Sequence, residues 1–246
     1  MDHIVYVAMT GAREVSRQLA VVSDNLANIS TAGFKAELNT FRALPVVGDG
    51  AKTRAYVLET TPSADYSPGV LRATGRNLDV AVRGQGWIAV QDASGKEAYT
   101  RMGDLQLSVN GVLQTGNGLP VVGDSGQIAV PPDQQILIAK DGTVSTVPTG
   151  QGQNSVTIAG RIKLVNPPQA SLVRGEDGLF RLQSGQPAPT DENASLAVGS
   201  LETSNVNPAD ALVKMISLGR QFDLQMKILS AANDNDKAAN QIISVA

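Results

Sequence analysis

Hydrophobic positions near the N-terminus repeat with the period of a helix. From Ile4 to Ile29, apolar or small residues recur in steps of 4, 3, 4, 4, 3, 4 and 3. Such steps keep one face of an α-helix apolar, with a period close to the 3.5 residues that is typical of coiled coils. We predict an amphipathic helix that ends near Asn28, with Gly33 beyond it as the residue best able to adopt a left-handed turn.

A second helix is predicted at the C-terminus, and its start is well marked. Asn207 is a preferred N-cap, Pro208 suits the first helical position, and Asp210 places a carboxylate in the first turn. Apolar residues then continue in heptad phase or beside it: Leu212, Met215, Leu218, Phe222, Met226, Leu229 and Ile243. We predict that the two terminal helices pack as a coiled-coil pair. A pair buries only one stripe of each helix, so a large remaining apolar area would indicate a partner.

Between the helices, short apolar segments alternate with glycine-rich turns. All 12 prolines and 21 of the 24 glycines lie between Pro45 and Pro208. The apolar segments predict strands at 78–82, 87–90, 105–109, 119–122, 136–139, 156–158, 161–165 and 179–182. Because turn signals rather than helical patterns separate them, we predict an antiparallel β domain. The predicted fold class is α+β, with long terminal helices and a central β-rich domain.

These patterns divide the chain into four segments. Residues 1–35 and 204–246 are the helical arms, residues 74–203 are the β domain, and residues 36–73 are a connector whose prolines and glycines exclude a long helix. The alternative, in which both helices fold back to cover the β domain, stays open at this point.

Composition excludes several kinds of chemistry. The formal net charge is −3, cysteine is absent, His3 is the single histidine, and aromatic residues make up 4%. A general nucleic-acid surface, thiolate or histidine metal sites and cysteine nucleophiles therefore have no basis in the sequence. We expect no cofactor, no metal, no small-molecule substrate and no enzymatic activity.

Three short motifs resemble functional sites and are better interpreted as local structure. Residues 123–126 read Gly-Asp-Ser-Gly, but a serine nucleophile needs a nearby base, and His3 is the only histidine. The pair Gly84 and Gly86 lacks the third glycine of a dinucleotide fingerprint, so we predict a hairpin turn. The polar run 233–236 lacks the later residues of a calcium loop, and we predict an interruption of the seam.

The sequence carries no recognisable targeting signal or membrane-spanning segment. No basic n-region precedes the apolar residues that begin at Ile4, and no stretch approaches the ~20 apolar residues that span a bilayer. We expect a protein that does not cross a membrane and that has no cleaved signal peptide.

Four segments in order resemble the bacterial flagellar rod and hook proteins. Residues 23–35 (SDNLANISTAGFK) are similar to that family's N-terminal signature, with Asp24 in place of its first Asn. Residues 74–90, 99–123 and 204–207 (SNVN) resemble the family's central and C-terminal motifs. Within the family, residues 6–12, 41–46 and 223–227 are most similar to the proximal-rod subunits, and a distal-rod subunit is the alternative.

This resemblance implies a structural role. It implies a subunit of the basal-body rod in the periplasm, exported by the flagellar type III apparatus and partnered by other proximal-rod and distal-rod proteins. The terminal helices would line the channel of a tube that transmits torque. The residues expected in the assembly interface are Val15, Leu19, Val22, Asn25, Leu26, Asn28, Ile29, Gly33, Phe34, Asn205, Asn207, Leu212, Met215, Leu218, Phe222, Met226, Leu229 and Ile243. A secreted β-domain adhesin that uses its termini only to oligomerise is the alternative from another class.

Overall fold

The structure is a computed structural model that describes residues 4–39, 41–45, 55–59, 63–132, 134–148 and 156–245. Its helices are α1 (Ile4–Ala27) and α2 (Pro208–Val245). The strands are β1 (Glu37–Leu38), β2 (Phe41–Pro45), β3 (Ala55–Glu59), β4 (Ser63–Ala64), β5 (Leu71–Ala73), β6 (Val80–Arg83), β7 (Trp87–Gln91), β8 (Glu97–Thr100), β9 (Leu105–Leu107), β10 (Leu113–Thr115), β11 (Val122–Gly123), β12 (Gly126–Gln127), β13 (Gln134–Ile138), β14 (Thr143–Pro148), β15 (Thr157–Arg161), β16 (Leu164–Val165), β17 (Leu172–Arg174), β18 (Phe180–Leu182), β19 (Ser195–Val198) and β20 (Ser200–Glu202).

The chain forms two compact units. The helical unit takes its described residues from 1–28, 37–64 and 206–246, and the β unit takes its own from 29–36 and 65–205. Two helices and a β-rich centre confirm the α+β class. The division of the chain into four segments, with boundaries at 35, 73 and 203, stays a prediction.

In the helical unit, α1 and α2 pack against each other. Val15 and Val22 of α1 share a buried apolar cluster with Ala211 and Leu218 of α2. Near the other end of the pair, Gly11 lies against the side chain of Gln225. Later residues of α1 therefore meet earlier residues of α2, and the two helices run antiparallel. The same unit contains the antiparallel pairs β1–β4 and β2–β3.

The ends of both helices follow from local sequence. Asn207 caps α2, because its Oδ1 accepts hydrogen bonds from the N–H groups of Ala209 at 3.0 Å and Asp210 at 3.5 Å. Helix α1 ends at Ala27, one residue before the predicted end. Gly33 has φ +68°, which confirms its predicted left-handed conformation. The polar run 233–236 does not interrupt the backbone of α2, which continues through it.

Strand pairing in the β unit is antiparallel in each recorded sheet. The largest has the order β16-β7-β8-β18-β17, a three-stranded sheet has the order β13-β14-β15, and pairs join β9 to β10, β11 to β12, β6 to β19 and β5 to β20. Every segment predicted as a strand contains or overlaps a strand. The core between these strands is apolar, with Val80, Ile88, Leu105, Leu113 and Leu196 fully enclosed.

One turn prediction is wrong. Gly84 and Gly86 both have positive φ, at 70° and 133°, as expected of a turn. The flanking strands do not pair with each other, however, because β6 pairs with β19 whereas β7 pairs with β8 and β16. The two left-handed glycines redirect the chain from one sheet to another, so the segment is a corner between sheets and not a hairpin.

Candidate assembly surface and signature motifs

The seam between the helices contains much of the predicted interface. Four predicted residues of α1 and three of α2 share one apolar cluster: Val15, Leu19, Val22, Leu26, Met215, Leu218 and Phe222. Val206 and Ala211, which were not predicted, belong to the same cluster. Their spacing, with Ala211 one turn before Met215, is the signal that could have found them. The seam is thus occupied within a single chain.

Three further predicted residues of α2 lie at or beyond the margin of this seam. Leu212 and Met226 are 48% and 47% exposed, and Leu229 is half-buried. The side chain of Ile243 lies outside the described residues, although its backbone is helical.

A second apolar stripe runs along the opposite side of α2, and sequence reasoning missed it. Val213, Ile216, Leu224 and Ile228 are 68%, 58%, 58% and 43% exposed. At 3.6 residues per turn Val213, Ile216 and Leu224 lie about 120–160° around the helix from Leu218, and Ile228 lies about 80° from it at the edge of the same stripe. We call them the outer stripe. The sequence contained a signal for this second stripe. Several turns of α2 have two consecutive apolar residues, and this pattern makes two faces of the helix apolar.

A shallow groove accompanies the outer stripe. It has a volume of about 440 Å³ and is lined by Val213, Ile216, Ser217, Arg220, Gln221 and Leu224. Arg220 provides a single cation within an otherwise apolar or neutral lining. A face of this kind, with apolar residues at helical spacing beside a groove, is suited to receive another helix.

The signature asparagines bind backbone groups within the chain. In the helical unit, the Asn25 Nδ2 donates to the carbonyl oxygen of Glu37 at 2.9 Å, and the Asn25 Oδ1 accepts from the Glu37 N–H at 2.8 Å. One side-chain amide thereby satisfies both polar groups of one residue, as a neighbouring strand would. Asn28 is half-buried and donates from Nδ2 to the carbonyl oxygen of Asp24 at 3.0 Å.

In the β unit, Asn205 binds three other residues. Its Oδ1 accepts from the Ala36 N–H at 2.7 Å, and its Nδ2 donates to the carbonyl oxygens of Asp65 at 2.9 Å and Ser67 at 3.1 Å. A hydrogen bond also joins the Asp65 N–H to the Ala36 carbonyl oxygen at 2.8 Å. Asn205 therefore holds together segments that are far apart in the sequence.

The segment that contains Gly33 and Phe34 also packs inside the β unit. A Cβ atom on Gly33 would lie 2.2 Å from the backbone carbon of Arg101, so only glycine fits there. Phe34 is half-buried, and the Arg174 guanidinium lies 4.8 Å from the centroid of its ring. Ile29 is half-buried.

Next to Phe34, a buried cluster of charges was not anticipated from the sequence. Lys35 and Glu202 both have side chains only 1% exposed, and Lys35 Nζ lies 2.6 Å from Glu202 Oε1. Arg101 donates to Glu202 Oε2 at 2.9 Å, and the Gly69 N–H donates to Glu202 Oε1 at 2.9 Å. Burial holds the pKa of Lys35 below its ordinary value of 10.5, while the Glu202 carboxylate opposes that shift.

No catalytic arrangement emerges within the part of the chain that the structure describes. Gly123 pairs with Gly126 across a tight turn, so the Gly-Asp-Ser-Gly segment joins β11 to β12. His3 lies outside the described residues. A cleft of about 600 Å³ beside this turn is lined mainly by polar residues, among which Lys163 and Glu97 already pair at 2.9 Å. No three His, Cys, Asp or Glu side chains of the described ranges lie together as a metal site would need. Among the helices described, none is long and apolar enough to cross a bilayer.

A filled intrachain seam, a second apolar stripe and a β unit with its own enclosed core are typical of a structural protein that assembles with other chains. Family models match three parts of the chain: "Flagella basal body rod protein" at residues 5–35, "Flagellar hook protein FlgE/F/G D1 domain" at 81–146 and "Flagellar basal body rod FlgEFG protein C-terminal" at 197–242. The chain is 45% identical to the flagellar basal-body rod protein FlgF of Escherichia coli (strain K12) and 43% identical to that of Salmonella typhimurium, over the full length of each. It is 33% identical to FlgG of Buchnera aphidicola subsp. Schizaphis graminum, over 97% of this chain and 98% of that one.

The chain belongs to the family of flagellar basal-body rod proteins, and it is a structural subunit of that rod. The predicted similarity to the FlgF type is confirmed by the identity over the whole length. This membership decides in favour of the rod and against the adhesin alternative.

Proposed function

We propose that this chain is a proximal-rod subunit that assembles through the outer stripe of α2. The observation that carries the proposal is the coexistence of two apolar faces on one helix. One face is filled by α1 of the same chain, and the other presents Val213, Ile216 and Leu224 to solvent. A helix that is apolar on two opposite sides is normally buried on both sides.

The energetics support a docking role for this stripe. Fully burying one Val, Leu or Ile side chain contributes roughly 1.5–3 kcal/mol. The four side chains of the stripe are already about half-buried, so one contact gains roughly 3–6 kcal/mol, which is comparable with the entropic cost of one association. A stable array therefore depends on repeating this contact, together with others, on every subunit. If the contact joins the stripe of one copy to a different surface of the next, it does not close on itself and produces a helical, tubular array.

This arrangement assigns roles to the predicted segments. Residues 1–35 and 204–246 would form the inner, coiled-coil layer around the export channel, residues 74–203 the outer layer, and residues 36–73 the connector between them. The predicted interface residues then divide in two. Those in the seam between α1 and α2 shape each subunit's own helix pair, while the outer stripe contacts neighbouring copies or other rod proteins. Torque would pass through many such contacts, since isolated surface ion pairs contribute only about 0–1 kcal/mol each.

The cellular route follows from the proposed place in the rod. We expect the chain to leave the cytoplasm through the flagellar type III apparatus without a cleaved signal peptide, and to function in the periplasmic part of the basal body. Membership of the rod family supports both expectations. Mass spectrometry of purified basal bodies would test them, since an uncleaved Met1 or Asp2 terminus should be found there.

The proposal is tested by placing a charge on the outer stripe. Ile216→Glu should leave the purified chain folded, because this side chain is 58% exposed. In a strain that lacks its own copy, the variant should fail to enter the rod and fail to restore swimming, since removing a carboxylate from water against an apolar partner opposes docking. Rod incorporation is measured in isolated basal bodies, and motility is measured in soft agar.

The matched control is Ser230→Glu, which adds the same side chain at an exposed position of α2 away from the outer stripe. It should restore swimming. Normal swimming by the double variant V213E/I216E would contradict the proposal.

A further inference from the structure

Three residues of the β unit that are bonded to one another share an unusual position in the chain. Ala36, Asp65 and Asn205 are each the last or first residue of the β unit before the chain continues into segments of the helical unit. Hydrogen bonds link Ala36 to Asp65, Ala36 to Asn205 and Asn205 to Asp65, with lengths of 2.8, 2.7 and 2.9 Å. Hydrogen bonds therefore directly join three points at which the chain enters or leaves the β unit. We call these points exits.

The side chain of Asn205 makes this link possible. A primary amide offers one acceptor and two donor hydrogens on a short, nearly rigid stem. Here the acceptor takes the Ala36 N–H, while the donor group reaches the carbonyl oxygens of Asp65 and Ser67. A carboxylate of the same shape would keep the first bond and would repel both carbonyl oxygens.

The buried charge cluster connects the same three segments a few residues further in. Lys35 donates from Nζ to the Ser67 carbonyl oxygen at 2.8 Å and pairs with Glu202. The Gly33 N–H donates to the Glu202 carbonyl oxygen at 2.8 Å. A Cβ on Gly69 would meet the carbonyl oxygen of Thr203 at 1.9 Å, so the segments at 69 and 203 are in the closest backbone contact. The hydrogen bonds of Asn205 and the contacts of the Lys35–Glu202 pair together hold these three segments in fixed positions relative to one another.

Stability alone gives no reason to build such a cluster from charged groups. A buried ion pair replaced by well-packed apolar residues often leaves a protein equally stable or more so. What a hydrogen-bonded polar network adds is a restricted geometry for the groups that it joins. This argues that the arrangement serves position and stiffness.

We propose that Asn205, supported by Lys35 and Glu202, is a positioning residue that fixes the spacing of three of the four points at which the chain enters or leaves the β unit. We call Ala36, Asp65, Asn205 and the Lys35–Glu202 pair the exit collar. The inference rests on the proposed rod function, because it assigns the collar the task of carrying load applied through the helical segments. A loose collar would let the exits shift, and part of the applied torque would be lost in that movement.

The first test measures the collar itself and does not depend on motility. In Asn205→Ala, the amide hydrogen of Ala36 loses its acceptor, and its exchange with solvent should accelerate at least about tenfold. Asn205→Asp should accelerate exchange of Ala36 less, because an acceptor remains. Exposed Asn193 supplies the control, and Asn193→Ala should leave the Ala36 amide unchanged. An unchanged Ala36 exchange rate in Asn205→Ala would overturn the collar as a structural device.

The second test measures load. Strains with Asn205→Asp should assemble rods and swim in dilute medium, and they should lose speed more steeply than wild type as medium viscosity rises. Ile162→Val destabilises the same β unit at a fully buried site outside the collar, and it should follow the wild-type viscosity curve. A viscosity curve for Asn205→Asp identical to that of wild type would overturn the mechanical role. The rod proposal itself is judged separately by Ile216→Glu.

Discussion

The helical unit and the β unit handle apolar and charged groups in opposite ways. The β unit encloses its apolar core and even buries the charges of Lys35, Arg101 and Glu202 by pairing them. The helical unit fills one seam and leaves the outer stripe of α2 exposed. The β unit covers its apolar core and pairs its buried charges, whereas α2 has apolar surface that no described part of the chain covers.

This difference separates folding from assembly. Changes at buried positions of the β unit should alter the free energy of unfolding, while changes on the outer stripe should leave it almost unaltered. The seam belongs to the first class although it lies in the helical unit, because α1 already covers it. The three predictions below test this division.

The largest effect is expected from Glu202→Gln. This substitution removes the carboxylate that pairs with both Lys35 and Arg101 and leaves two buried cations without their partner. Breaking a buried pair in this way costs about 3–5 kcal/mol. Urea unfolding followed by fluorescence of Trp87, the single tryptophan, which is buried in the β unit, measures the loss.

Glu192→Gln is the control for that experiment, since Glu192 is an exposed carboxylate of the same unit. Its unfolding free energy should stay within about 0.5 kcal/mol of wild type. Equal stabilities of the Glu202 and Glu192 variants would show that the buried cluster contributes nothing to folding.

A smaller effect is expected in the seam, where two leucines of α2 form a matched pair. Leu218 is 5% exposed against α1, whereas Leu224 is 58% exposed on the outer stripe. Leu218→Ala should destabilise the helix pair by about 2–4 kcal/mol through lost burial and a residual cavity. Leu224→Ala should change the stability of the dilute chain by less than about 0.5 kcal/mol. Thermal unfolding followed by circular dichroism at the helix band compares them, and similar losses for both would erase the distinction between the two faces.

The smallest effect is expected from Asp104, whose buried Oδ1 has no hydrogen-bond partner among the described residues. Burial raises the pKa of Asp104 above its ordinary 3.8, and the nearby Asp79 carboxylate adds to the shift. The folded state therefore keeps this proton to higher pH than the unfolded state. Its contribution to stability is favourable at low pH and is lost as pH rises from 3.8 through the folded pKa.

Asp104→Asn removes this dependence. Relative to wild type, the variant should gain stability across that acidic window and should keep a gain of no more than about 1 kcal/mol at neutral pH. The exposed Asp124→Asn serves as the reference. A difference between Asp104→Asn and wild type that is constant from pH 3 to pH 7 would contradict the raised pKa.

Local signals predicted both helices and eight of the twenty described strands, namely β6, β7, β9, β11, β13, β15, β16 and β18. The Asn207–Pro208 start and the left-handed Gly33 depend on interactions within a few residues, and such interactions are visible in the sequence. Strands with apolar runs, such as β7, were found for the same reason. Strand β14 was missed, because Thr143–Pro148 mixes polar and apolar residues and is recognisable mainly from its partners β13 and β15.

The exit collar was beyond this kind of reasoning. Lys35 and Glu202 are separated by 167 positions, and nothing near either residue indicates a buried partner. Asn205 was expected at an interface between subunits because it lies in a family motif, and the structure places its bonds inside the chain. The sequence singled out Asn205 through a family motif, but its partners depend on which segments the fold brings together.

The unequal lengths of the two helices have a consequence for how subunits could be joined. Helix α1 has 24 residues and α2 has 38, which correspond to about 36 Å and about 57 Å at 1.5 Å per residue. With Gly11 beside Gln225, the first described residue of α1 lies level with a point near Ala232. About 20 Å of α2 therefore extends beyond it. The length of α2 that extends beyond α1 can pair with a helix of another subunit. That subunit must approach from one direction along the helix axis. We expect a stack built from such contacts to have a polarity that each subunit carries in its own helices.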